Sequence, residues 1–290
     1  MGVPAITCRP HGRSAFVAAM EMTITFPDPL RIAQGTYLIR PLGQAPGAPV
    51  AMHINSMVIQ GSEPVIVDCG AALMREQWSE QVFGLVEPRD VRWIFLSHDD
   101  GDHTGNLELC MEMCPNATLV TSWFATERMS GDVQLPIDRQ RWVGDGESFV
   151  AGDRRLVAVR PPTWDSPTTR GLYDTKTGVY WSSDAFGTPV LGLVDHVAEV
   201  PAEMLAESCM AFSSMLSPWH EIVDPVKFDA WVDRVVSLDA TVVVGAHGPQ
   251  LTGSHIDLAI DRMRKLPATP VAPLPDQGTL DQLLGILQPA

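Results

Sequence analysis

Residues 93–106 read WIFLSHDDGDHTGN: an apolar run of strand length that stops in a loop where five of the six positions from His98 to His103 are His or Asp. A loop this polar does not belong in a core, and so dense a cluster of imidazole and carboxylate donors calls for a cation. On a tight turn His98 and Asp100 project to one side while Asp102 and His103 project to the other, so one segment can serve two adjacent metal ions. Gly101 and Gly105 are expected to permit the sharp backbone path. A merely solvated acidic turn, capped by Thr104, would leave both histidines unexplained.

The same design recurs along the chain. Residues 240–251, ATVVVGAHGPQL, form another apolar strand that ends in a His-Gly loop at His247, and a helix with apolar residues at 3–4 spacing precedes it over 223–238. Residues 171–187, GLYDTKTGVYWSSDAFG, read as a hairpin turning at Thr175–Gly178. Upstream, TYLIRPLG and MHINSMVIQGSEPVIVDCG are β-rich, with 57–61 and 65–69 as an antiparallel pair, and a helix follows from Ala71 to Leu85. LELCMEMCP after the ligand loop reads as a helix, whereas TLVTSWFA, RQRWVGDGESFV and RRLVAVRPP read as strands. A Pro-rich stretch, 266–278, separates this body from a short terminal helix near Thr279–Leu287. The expected division is an extension over 1–22, one domain over 23–265, and a linker with its helix over 266–290.

Composition removes several functional classes. With 45% hydrophobic and 19% charged residues in 290, the chain is of ordinary globular make-up. A net charge of −15 with only 20 Lys and Arg argues against nucleic acid or an anionic membrane as partner. No run of eighteen apolar residues predicts a membrane span. The first twenty residues lack a sustained apolar region of export type, so a cytoplasmic protein is expected, with Met20 or Met22 as an alternative start. Five scattered cysteines form neither a disulfide framework nor a paired zinc motif, and Cys110 and Cys114 read as small buried residues of one helix face.

Taken together, SHDDGDHTGN resembles the HxHxDH signature of the metallo-β-lactamase superfamily, with Asp100 where the common hydrolases carry a second His. VIVDCG resembles that family's early strand ending in Asp-Thr-Gly, WSSDAFG the strand whose Asp bridges two metals, and VVGAHGPQ the strand whose His completes the second site. The likeness spans about Met52 to Leu251 and implies an α/β fold, the αβ/βα four-layer sandwich. It also implies a binuclear centre of His98, Asp100, Asp102, His103, Asp184 and His247, with Asp184 between the ions. The carboxylate at Asp100 and the run from Ser183 to Gly187 are similar to the diiron domain of flavodiiron proteins, which reduce dioxygen or nitric oxide.

That resemblance implies two metal ions, with iron favoured over zinc or manganese, and oxidoreductase chemistry on a small molecule. The family's diiron domain is followed by a flavodoxin domain. No flavin site is expected within this chain, so electrons would come from a separate donor, and an oligomer is compatible with the sequence. Metal-assisted hydrolysis of an ester, lactone or thioester is the alternative, and a diiron oxygen or redox sensor is a third reading. One departure stands out: the family places a further His ahead of the bridging Asp, and the corresponding segment, RPPTWDSPTTRG, has none near Pro162 or Thr163. Site one is thus expected to be open or completed by another residue. His220 is a candidate pocket acid, base or substitute ligand; Asp68 and His53 are candidates to support the metal-bound histidines from behind. Trp123, Trp142, Trp164, Trp181 and Trp219 read as core or pocket wall, and Arg170 as an anion holder or a partner for a carboxylate.

Overall fold

The structure, a computed structural model, describes residues 22–45 and 47–287, so the 1–22 extension, apart from Met22, lies outside the described residues. Alternation with period two builds the layers. In the strand Val65–Val67, Val65 and Val67 turn into one cluster with Leu38, Met57, Phe95 and Val120, while Ile66 turns the other way, against helix residues such as Trp78, Val82 and Leu107. The strand Val242–Val244 divides likewise: Val242 and Val244 join the first cluster, and Val243 packs with Leu205, Phe228, Val232 and Met263. Two sheets therefore share one apolar interior, and each is backed by helices on its outer face, which is the αβ/βα sandwich. Each wholly buried aliphatic or aromatic side chain contributes on the order of 1.5–3 kcal/mol relative to exposure.

The first sheet has seven strands, ordered Gln140–Trp142, Thr118–Thr121, Trp93–Phe95, Val65–Val67, Ser56–Ile59, Thr36–Ile39 and Leu30–Ala33. Its first four strands are parallel, and the pair at 56–59 and 65–67 is antiparallel as expected. The second has six: Ser148–Ala151, Arg154–Val159, Gly171–Asp174, Val179–Trp181, Val242–Val244 and Leu251–Thr252. Parallel registers pair Val67 with Phe95 and Trp181 with Val244, so the residues that follow these strands emerge side by side. The carboxyl ends of parallel strands are where α/β folds place ligands.

One expectation needs revision, and two helices were not anticipated. TLVTSWFA is not one strand: the strand stops at Thr121, and the Ser122 hydroxyl accepts the amide N–H of Ala125 to cap a helix, Trp123–Met129. The helices Ala202–Leu216 and Ser254–Arg264 have no counterpart in the sequence-based reading. Neither has a side-chain N-cap, the feature by which a helix start is recognised. Leu266, just past the expected domain boundary at 265, is wholly buried in the outer core of the second sheet. The terminal helix runs Gln277–Leu287.

Candidate metal centre

All six predicted ligands converge at the strand ends between the two sheets. The Asp184 carboxylate lies between two groups: its Oδ2 is 3.6 Å from His98 Nε2, while its Oδ1 is 3.0 Å from His103 Nε2 and 3.4 Å from His247 Nε2. Asp102 Oδ2 stands 3.2 Å from His247 Nε2 and 3.7 Å from His103 Nε2. On the other side Asp100 Oδ2 is 3.6 Å from His98 Nε2. One carboxylate thus faces His98 with one oxygen and the His103 and His247 imidazoles with the other.

Nearly every buried polar atom in a folded protein is paired. Here His98 Nε2, His103 Nε2 and Asp184 Oδ1 are buried and have no hydrogen-bond partner among the described residues. These converging donor atoms are what a cation requires, so the residues present fit a binuclear metal group. Asp100, Asp102, Asp165 and Asp184 carry four formal negative charges, which two divalent ions would balance. Without cations the imidazoles and carboxylates compensate one another. Burial opposes a charged His247, but Asp184 and Asp102 outweigh it and push its imidazole up to about 10. Burial likewise opposes a charged Asp184, yet His247, His98 and His103 hold its carboxyl well below the usual range.

Behind each histidine stands a group that fixes its orientation. His103 Nδ1 lies 2.8 Å from Asp68 Oδ2, and His247 Nδ1 lies 2.9 Å from the His53 carbonyl oxygen. Both partners only accept, so Nδ1 carries a proton and Nε2 is the nitrogen that faces the centre, free to offer its lone pair to a bound cation. His98 is held through a chain: the Ser183 hydroxyl donates to Ser97 Oγ, and the Ser97 hydroxyl donates to Asp68 Oδ2. That leaves the Ser183 oxygen to accept from His98 Nδ1, 3.1 Å away. Asp68 anchors two histidines at once, and it also accepts from Ser97 N and Trp181 Nε1. Trp181 is therefore both core and support. Asp68 and Ser183 adopt φ of 56°, a left-handed backbone that is costly for residues other than glycine and tends to gather at functional sites.

His53 acts through its backbone. Its own ring donates from Nδ1 to the Arg40 carbonyl, 3.1 Å away, and burial pushes its imidazole down to about 4, keeping it neutral. Beside it, Asn55 Nδ2 donates to the carbonyls of Gly245 and Gly248, pinning the His247 loop from both sides.

Other expectations fare differently. His220 is buried in the 3₁₀ turn Pro218–Ile222, near Ser214 and Leu266, and does not join the cluster. In that turn Trp219 Nε1 donates to the Trp164 carbonyl, and with three residues per turn the next side chain points a third of a turn away. Arg170 donates to the carbonyls of Pro167, Thr168 and Thr169, and so clamps its own loop. Gly101 has open space where a Cβ would go; Gly105 is required for close approach, since a Cβ there would lie 2.1 Å from Ala72 N. Sequence reasoning missed Ser97, Ser183 and, above all, Asp165, whose carboxylate clusters with His98 and Asp100 within 4.8 Å. Its only sequence signal was its place just after Pro162 and Thr163, within the segment that lacks the family's histidine. Partial desolvation, with Asp184 and Asp100 nearby, pushes the Asp165 carboxyl up to about 6. A cleft of about 500 Å³ opens beside Asp100, lined also by Asp99, Thr104 and Arg128.

A four-layer αβ/βα sandwich with this constellation at its strand ends defines a metallo-β-lactamase-fold protein. The family model described as ODP family beta lactamase matches residues 52–248, and the chain belongs to that family. A putative diflavin flavoprotein A 2 from Nostoc sp. is 33% identical over 134 residues, 46% of this chain and 23% of that protein. The anaerobic nitric oxide reductase flavorubredoxin of Vibrio vulnificus is 26% identical over 198 residues, 67% of this chain and 39% of that one. Among solved structures, rubredoxin oxygen:oxidoreductase of Desulfovibrio gigas superposes with a TM-score of 0.71 at 15% identity, covering 82% of this chain and 61% of that chain. Flavodiiron proteins share the fold. The chain spans less than half the length of the two curated relatives named. No helix among the described residues is long and apolar enough to cross a membrane.

Proposed function

We propose that this chain holds two metal ions and works as an oxidoreductase, reducing dioxygen or a small oxidised molecule such as nitric oxide with electrons from a separate donor. The observation that carries the binuclear reading is the Asp184 carboxylate, whose two oxygens face two different groups, one with the unpaired buried His98 Nε2 and the other with the unpaired buried His103 Nε2. His98, Asp100 and Asp184 would hold one ion, and Asp102, His103, His247 and Asp184 the other. Three carboxylates and three imidazoles favour iron or manganese more than an imidazole-only set would. Iron bound there would supply one-electron redox steps. Relatives named for nitric oxide reduction and for oxygen reduction agree with that choice.

The chain's own residues provide orientation and dryness. Asp68, the Ser183–Ser97 pair and the His53 carbonyl hold three imidazoles with Nε2 inward, which limits reorganisation when the centre changes charge. His98, His103 and Asp184 are almost wholly buried, so water reaches the centre chiefly from the Asp100 side, where a diatomic molecule would also enter.

The test is anaerobic loading of the chelator-stripped protein with Fe(II), followed by dioxygen or nitric oxide and a chemical reductant. Sustained consumption of the oxidant by the iron form, absent from the zinc form, is the expected result. Turnover of an ester, lactone or thioester by the zinc form with no redox turnover would replace this reading with hydrolysis. A single stoichiometric oxidation without turnover would replace it with sensing.

A further inference from the structure

We propose that Asp165 is a protein ligand of the His98 site, and that it makes this site a carboxylate-rich position preferring Mn(II) over Zn(II) relative to its neighbour. The inference rests on the binuclear reading above and concerns which residue completes the half that the sequence left short of a histidine.

His98 is wholly buried, and its Nε2 has no hydrogen-bond partner among the described residues; it lies 3.6 Å from both Asp100 Oδ2 and Asp184 Oδ2. A carboxylate oxygen of Asp165 joins the His98 and Asp100 ligand atoms in a set whose members all lie within 4.8 Å of one another, the spacing of donors around a single ion. Asp165 stands at the exposed rim, but its backbone is held on both sides. Trp164 N donates to Ser217 Oγ, while the Trp164 carbonyl accepts from Ser217 Oγ and Trp219 Nε1. On the other side the Ser166 and Thr168 hydroxyls donate to Asp99, inside the ligand loop itself. The loop carrying Asp165 is thereby tied to the loop carrying His98 and Asp100.

The two donor sets then differ in kind. Site one has a single imidazole and the carboxylates of Asp100, Asp165 and Asp184; site two has two imidazoles and the carboxylates of Asp102 and Asp184. Carboxylate oxygens suit manganese, and imidazoles suit zinc and iron, so replacing an imidazole by a carboxylate moves site one toward the harder ion.

The experiment strips the full chain of metal, loads it anaerobically with equal Mn(II) and Zn(II), and locates each element by anomalous scattering on either side of its absorption edge. The expected result is a severalfold higher manganese-to-zinc ratio at His98 than at His103. Asp165→Asn should lower metal affinity at the His98 site by at least about tenfold, leaving the other site unchanged. Asp165→His should restore occupancy and move the preference toward zinc. Unchanged occupancy and ratio at His98 in Asp165→Asn would overturn the proposal. Loading of wild-type protein at His103 and His247 alone would overturn it while leaving a mononuclear centre in place, and failure of both sites to load would overturn the binuclear reading itself. Asp165 is at the rim, so both variants are expected to keep the wild-type melting temperature.

Discussion

The two halves of the centre grow from one loop yet sit in different surroundings. In one half the side chains of His103, His247 and Asp102 are 1%, 8% and 32% exposed, and each imidazole Nδ1 has a direct acceptor. In the other half His98 is equally buried but Asp100 is 44% exposed, and His98 reaches its anchor only through two serine hydroxyls. Electrostatic interactions are stronger away from water, and a ligand already locked in place loses less freedom when it binds. The deep half should therefore bind first and tightly, and the rim half should be the one that exchanges metal and meets substrate.

Substitutions at the shared residue probe that contrast hardest. Asp184→Asn should weaken both sites together, by more than the roughly 10–100-fold typical of losing an outer partner, as read by metal titration followed by elemental analysis. Equal loss at both sites supports the bridge; loss at one alone would break it. His247→Ala should come next, emptying the deep half while the rim half keeps part of its affinity. If the variant held two ions as tightly as wild type, the assignment of His247 would be wrong.

Asp68→Asn isolates the anchoring carboxylate. It should cost about 10–100-fold in affinity at the deep site, where His103 loses a charged acceptor, and less at the rim, where the serines intervene. A larger loss at the rim would reverse the order of the two halves. The smallest effect is expected from Ser183→Gly, which removes the hydroxyl facing His98 and relaxes the positive φ. Metal affinity at the rim should fall severalfold, the deep site should be unaffected, and thermal stability should change little. An unaltered rim affinity would show that His98 does not depend on the serine chain.

Much of this was legible in the chain itself, for identifiable reasons. Alternation in VIV at 65–67 and VVV at 242–244, and the abrupt change from WIFL to HDDGDH, record local rules: which face is buried, and where a strand stops and polar donors begin. The six candidate ligands could be named because each lies in the polar segment that follows such a strand. What lay beyond the sequence depended on contacts distant along the chain. Asp165 is indistinguishable from any rim carboxylate until the loop at 164–168 is tied to Ser217 and to Asp99. Ser183 and Ser97 look like ordinary hydroxyls until the register pairing Trp181 with Val244 brings Ser183 beside the strand end that carries His98. His220 had the composition of a site residue, yet it lies buried in the 3₁₀ turn Pro218–Ile222 and joins none of the ligand groups among the described residues. Periodicity and residue chemistry are local and so determined the fold and the ligand types, whereas the partners of each ligand were set by sheet register and loop closure, which no local pattern encodes.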